Sequence, residues 1–276
     1  MSEYEKLRDV LAGIASIANG AVNGNGSPVN GNEPTQQVVP SCTLKFLPTE
    51  LLIAAARTAC EINPVNAPFD SPLAALAPGI LNDPLRAALV TTKYWGAVSR
   101  RLTVSFMETT PSDLRQRIIS HMNAWTRTGS VEFAETQSGG DVRISRGPGG
   151  YWSYLGTDIR HIPLDQPTMN LQGFTMGHSE AEFRRVVRHE AGHTLGLTHE
   201  HMRRELVARI DPERAYRYFR ETQGWDKATV DQQVLRPLDD QTILGTPPDQ
   251  TSIMCYQLPA TITRDGQPIL GGVDIK

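Results

Sequence analysis

The string His189-Glu190-Ala191-Gly192-His193-Thr194-Leu195-Gly196-Leu197-Thr198-His199 holds the residues best suited to chemistry. Residues four apart on a helix share a face, one turn apart, so His189 and His193 can present two imidazoles to one metal ion. Glu190 projects about 100° round the helix from His189, which frees its carboxylate to work on a metal-bound water rather than on the metal. Gly196 can take a positive φ and stop the helix sharply. The reversed chain can then bring His199 back as a third ligand. Three histidines and a water describe an open, catalytic site for one zinc ion, not a closed structural one. A lone His-Glu-x-x-His arises by chance on solvated helices. Here the string is longer, and four of the chain's seven histidines fall between 189 and 201, so that bland reading is a poor one.

Several elements must position these groups. Ser179 and Glu182 form a capping box, so a helix begins near 180, with Phe183, Val186 and Val187 as its buried stripe. Upstream, Arg101–Met107 alternates as a half-buried strand, with Leu102, Val104 and Phe106 on one face. Thr110-Pro111-Ser112-Asp113 starts a helix, with Thr as N-cap and Pro at the first helical position. Leu114, Ile118, Met122 and Trp125 give that helix one apolar face. Val131 with Phe133, and Val142 with Ile144, predict two more strands. The glycine-rich turn at 147–150 precedes Tyr151, Trp152 and Tyr154, which suit a cleft wall or a core equally well. The layout is α+β, helices on a twisted mixed sheet.

The 276 residues carry 27 basic and 30 acidic side chains, a near-balance that excludes a nucleic-acid binder gripping through a strongly basic face. No apolar run approaches the ~20 residues of a membrane-spanning helix. Three cysteines exclude a disulfide-dense scaffold. The first twenty residues lack the basic and apolar regions of a secretory signal, so the expected location is cytoplasmic, or outside the cell by a non-classical route. Leu7, Val10, Leu11, Ile14 and Ile17 form a helical stripe, followed by an Asn- and Gly-rich stretch. Residues 1–40 therefore read as a flexible leader and linker, 41–98 as a small N-terminal region and candidate pro-segment, and 99–276 as the main domain.

The long histidine string resembles that of the metzincin zinc peptidases, whose signature adds a later Met-turn. That turn matches Ser252-Ile253-Met254-Cys255-Tyr256, and the resemblance places Met254 beneath the three histidines. It is strongest to the astacin and serralysin branches, which carry a Glu directly after the third histidine, as Glu200 is here, and a Tyr two residues after the methionine, as Tyr256 is here. The resemblance implies a metzincin-like catalytic domain with an irregular C-terminal subdomain. It implies a zinc-dependent endopeptidase acting on protein or peptide substrates, with His189, His193 and His199 as metal ligands and Glu190 as general base. Tyr256 would be a labile ligand and transition-state donor. It also implies an extended substrate along an edge strand, for which residues 161–175 are the candidate. The sequence departs from the family at Cys255, where many astacins have His, and at Lys276, where relatives continue into a C-terminal helix that this chain lacks or replaces with a shorter element. A binding protein that keeps the fold without catalysis, and a zinc hydrolase of non-peptide amides, are the alternative readings.

The remaining candidates are weaker. His201 is expected at the surface or beside the ligands, His178 in a loop, and His121 and His161 in structural roles. Nine arginines between 184 and 220 share residues 180–220 with seven acids and suit an ion-paired surface. Cys42 and Cys60 could form a disulfide, or Cys42 could cap the zinc as a pro-segment thiol does in some metzincins.

Overall fold

The computed structural model describes residues 42–67, 92–238, 247–272 and 274–275. The expected leader, residues 1–40, lies outside them. Six strands form one sheet: β1 (Cys42–Lys45), β2 (Arg100–Phe106), β3 (Val131–Glu135), β4 (Val142–Ser145), β5 (Tyr151–Tyr154) and β6 (Met169–Leu171). Their order is β1-β5-β6-β4-β2-β3. Every pairing is parallel except β5 with β6.

The predicted alternation is realised on β2, where Leu102 and Val104 are buried, and on β3, where Val131 and Phe133 are buried. Helix α1 (Leu52–Ile62) is Ala-rich and packs on the 3₁₀ stretch Gly156–His161, with Ala55 and Ala59 buried. Helix α2 spans Ser112–Met122 with Leu114, Ile118 and Met122 inward. Its N-cap is Pro111 rather than Thr110, a shift of one residue at an element end. Trp125 continues that apolar face in a 3₁₀ turn, Asn123–Arg127. Helix α3 covers residues 180–194: α-helical Glu180–Glu182, a π-helical stretch Phe183–Arg188, and α-helical His189–Thr194. The Ser179 hydroxyl accepts from the Glu182 N–H at 3.2 Å, as the capping box requires.

Two cores follow. The first sandwiches α2 and α3 against the sheet through Leu102, Val104, Ile118, Met122, Ile144 and Val187. The second holds the C-terminal part together around helix α4 (Pro212–Gln223), with Ile210, Phe219, Val230, Val234 and Leu258. Both Cys42 and Tyr256 belong to this second core, so the N-terminal strand bridges the two halves. After Tyr256 the chain makes isolated bridges, Leu258 with Ile269 and Ile210 with Thr263, and a 3₁₀ turn at Ala260–Ile262. Among the described residues no helix is long and apolar enough to cross a membrane.

The edge strand differs from expectation. Residues 161–175 contain β6, which lies inside the sheet between β5 and β4. The outer strand of the main domain is β5, and β1 from the N-terminal region covers it. The domain boundary expected at residue 98 therefore does not separate the sheet, because residues 42–45 complete it.

Candidate metal centre

The capped helix presents His189 and His193 on one face. The helix ends at Thr194, and Gly196 turns the chain at φ 102°. A side chain there would collide with the Lys93 carbonyl, 2.9 Å from the added Cβ. The Leu197 N–H returns to the Gly192 carbonyl at 3.0 Å, and His199 swings back over the helix. The three Nε2 atoms then lie 3.0–3.2 Å apart.

Their protonation follows from their partners. His189 Nδ1 meets the Ile253 carbonyl at 2.7 Å, and His193 Nδ1 meets the Leu197 carbonyl at 2.7 Å. A carbonyl only accepts, so each Nδ1 carries the proton and each Nε2 turns a lone pair inward. Burial holds all three rings neutral: it pushes His189 down to about 4, and His193 and His199 well below the usual imidazole range. Converging lone pairs at this spacing repel one another unless a cation sits between them. Zn–N bonds of ~2.0–2.1 Å in a tetrahedron require nitrogens about 3.3 Å apart. The residues therefore fit zinc.

A fourth group completes the cluster. Cys42 Sγ lies 3.3 Å from His193 Nε2, and the thiol and the three histidines converge within 4.8 Å of one another, all buried. The three cysteines are free, so Cys42 and Cys60 are not bridged. Burial first, then the Glu190 charge, pushes the Cys42 thiol well up. A divalent cation held there would reverse that, since a coordinating thiol is deprotonated.

Glu190 is 1 % exposed and points at the same space, in contact with the Cys42 thiol. Burial pushes its carboxyl up to about 8. Its Oε2 has no hydrogen-bond partner among the described residues. Tyr256 donates its hydroxyl to the Cys42 carbonyl. Met254 lies beneath α3, where its sulfur occupies the room left by the missing side chain of Gly192. The Glu200 N–H donates to the Met254 carbonyl at 2.8 Å, which ties the histidine loop to the methionine turn. The sequence-predicted residues Glu190, Tyr256, His189, His193, His199 and Met254 are thus brought together at one place.

Other groups were harder to read. Of the two places expected for His201, the structure shows the one beside the ligands: it is fully buried, its ring 5.1 Å from that of His199. Its ring stacks on Tyr256 at 4.0 Å and 17°, and its Nε2 meets the Gln233 carbonyl at 3.0 Å. Gln233 bonds both the N–H and the carbonyl of Leu44. Two tryptophans brace the metal helix: Trp95 donates to the Thr194 carbonyl at 2.8 Å and Trp125 to the Arg188 carbonyl at 2.7 Å. Ser153 of β5 meets the Thr194 hydroxyl at 3.0 Å. The aromatic residues divide: Tyr151 is core, while Trp152 and Tyr154 share an edge contact, with Lys45 of β1 over Trp152. His178 stacks on Phe174 in a loop, His121 sits by Glu180 and Arg188, and His161 meets Thr58. At least five of the nine arginines form ion pairs, among them Arg185 with Glu182 and Arg209 with Asp265.

Comparison with known proteins agrees with this geometry. The model of the astacin family, peptidase family M12A, matches residues 89–268. The zinc metalloproteinase nas-27 of Caenorhabditis elegans is 35% identical over 100 residues, covering 36% of this chain and 21% of that protein. The chain thus spans about a fifth of the length of that curated relative. A solved structure of myroilysin superposes with a TM-score of 0.62 at 26% identity, covering 67% of this chain and 90% of that one. A second, a crystal structure of myroilysin, has a TM-score of 0.50 at 27% identity.

Proposed function

Because the chain belongs to the astacin family of metallopeptidases, we propose that it is a zinc-dependent endopeptidase, described here in a latent form. The observation that carries this reading is the convergence of three buried Nε2 atoms with an unpartnered Glu190 oxygen beside them. His189, His193 and His199 would hold the ion. Zinc bound there would polarise a carbonyl and make a water acidic near neutral pH.

The chain's own residues supply the rest. Glu190 does not hold the metal; its free oxygen is placed to take a proton from the attacking water and hand it to the leaving amine. Tyr256 already donates to a main-chain carbonyl, that of Cys42, and a scissile carbonyl entering the released cleft would meet the same hydroxyl. It is placed to donate to the oxygen of that carbonyl as charge develops there. Burial holds the phenol well above its ordinary pKa, so it remains a donor. Family membership brings protein or peptide substrates to this site as a class.

Latency follows from β1. Cys42 fills the fourth position of the cluster, and residues 42–45 occupy the edge of β5 where an extended substrate would pair. Neither alternative reading is favoured by a residue of the site: no ligand and no base is missing, as a binding protein that had lost catalysis would require.

The test is metal analysis with proteolysis. The purified chain, freed from β1, should hold about one zinc per chain. 1,10-Phenanthroline should abolish cleavage of denatured protein, and added zinc should restore it. Full activity in a preparation without a transition metal would overturn the reading.

A further inference from the structure

Alternate residues of a strand turn their main-chain groups to opposite sides. In β1, Leu44 aims its N–H and carbonyl away from β5. Both are met by one side chain. The Gln233 carbonyl oxygen accepts the Leu44 N–H at 2.9 Å, and its amide nitrogen donates to the Leu44 carbonyl at 3.4 Å. One glutamine thus imitates a neighbouring strand. Gln233 is 4 % exposed and sits in a π-helical stretch, Asp231–Leu235. Such stretches recur at functional sites. Its own carbonyl is bonded by His201, whose ring stacks on Tyr256. Two residues before Leu44, on the same side of β1, the Cys42 carbonyl accepts from Tyr256. The strand therefore lies between β5 on one side and a wall of Tyr256 and Gln233 on the other.

We propose that Gln233 is a substrate-binding residue that grips the peptide main chain two residues from the carbonyl held by Tyr256. This rests on the endopeptidase reading. When β1 leaves, a buried amide loses both partners at once, which is unfavourable until equivalent groups return. Any extended peptide offers an N–H and a carbonyl on the same side at every second residue. The recognition is indifferent to side chains but demands a free N–H, so proline is excluded at that position.

The experiment uses the zinc-loaded full chain carrying Cys42→Ala and Thr43→Pro, which remove the thiol and the Thr43 N–H aimed at β5, so that β1 is released. Gln233→Ala and the near-isosteric Gln233→Glu, which loses the donor, are compared in this background, with zinc content and Tm measured in parallel. The probe is a labelled peptide of residues 41–46 with Ser for Cys42, titrated in the further presence of Glu190→Ala to stop turnover. The second probe is the same peptide with N-methyl-leucine at the Leu44 position. KM for denatured casein is read with Glu190 intact.

Losing both hydrogen bonds in Gln233→Ala should weaken binding of the first peptide roughly 5- to 50-fold, and losing the donor alone in Gln233→Glu about 2- to 10-fold. The N-methyl peptide should bind weakly to the parent and no more weakly to Gln233→Ala. KM for casein should rise by a similar factor with kcat little changed. Unchanged peptide binding in a folded, metallated Gln233→Glu protein overturns the proposal. So does weakened peptide binding with an unchanged casein KM, which would confine Gln233 to holding β1. If the peptide binds through Gln233 but no variant cleaves casein, the endopeptidase reading falls and the subsite stands.

Discussion

Gly192 lies between the two helical ligands and faces the methionine turn, so adding one carbon there tests how tightly the metal helix is seated. A Cβ at Gly192 would overlap the Met254 sulfur and lie 3.1 Å from both Met254 Cε and Trp125 Cζ2. Ordinary carbon contacts need at least ~3.5 Å, so the sulfur or the helix must give way by about 1 Å. Alanine in a helix gains about 1 kcal/mol over glycine. Overpacking a close-fitted core costs about 1–3 kcal/mol. The packing term prevails, and Gly192→Ala should lower stability by up to about 2 kcal/mol, or several degrees in Tm for a chain of this size. The functional loss should be larger, because about 1 Å of misplacement at a reacting centre can cost ~10²-fold. The assay is calorimetry and casein hydrolysis on Gly192→Ala, Met254→Ala and the double variant. Met254→Ala alone opens a cavity and should cost about 2–5 kcal/mol. The double variant should recover part of both losses, with a coupling of about 0.5–3 kcal/mol. A Gly192→Ala protein with a raised Tm, wild-type activity and additive behaviour would refute the seating argument.

Three further outcomes are expected. Glu190→Ala should keep its zinc yet lose about 10²–10⁴-fold in turnover, whereas His193→Ala should lose both; metal content measured beside rate separates them. In the released chain, Tyr256→Phe should lower kcat by ~10²–10³-fold with KM little changed, the mark of a donor that acts in the transition state; an unchanged kcat in metallated protein would remove Tyr256 from the machinery. In the intact chain, Cys42→Ala should raise basal cleavage of denatured casein, since the thiol then no longer fills the fourth position; equal rates before and after the substitution would show that β1 blocks the cleft without it.

The metal centre was legible because its chemistry is local. The two-histidine helix, the Ser179 cap and the Gly196 turn each depend on residues within one or two turns, and the structure places them where spacing required. The methionine turn was visible only by resemblance, since nothing in Ser252–Tyr256 indicates that it lies beneath α3. Non-local pairings were not legible. Cys42-Thr43-Leu44-Lys45 is too short to declare its partner, which lies more than a hundred residues away on β5. The edge was therefore sought at 161–175, whose strand is interior. For His201 the sequence leaves two places open, the surface or beside the ligands, and the structure takes the second, 5.1 Å from the His199 ring. Its burial depends on Tyr256 above it and Gln233 beside it, both remote in sequence. Gln233 gave no signal at all: a glutamine in a polar helical stretch reads as solvated until the strand it holds is known.

The parallel seating of β1 on β5 has a consequence for how the protein behaves in solution. An unpaired strand edge is a template on which another chain can add. While residues 42–45 are in place, the outer margin of the main domain's sheet is closed, and closed by the protein's own chain. Loss of that segment opens a four-residue edge bearing Trp152 and Tyr154. The opening that admits a substrate is therefore the same opening that admits a second copy. Freed of β1, concentrated protein should self-associate, and a cleft-filling peptide should keep it monodisperse.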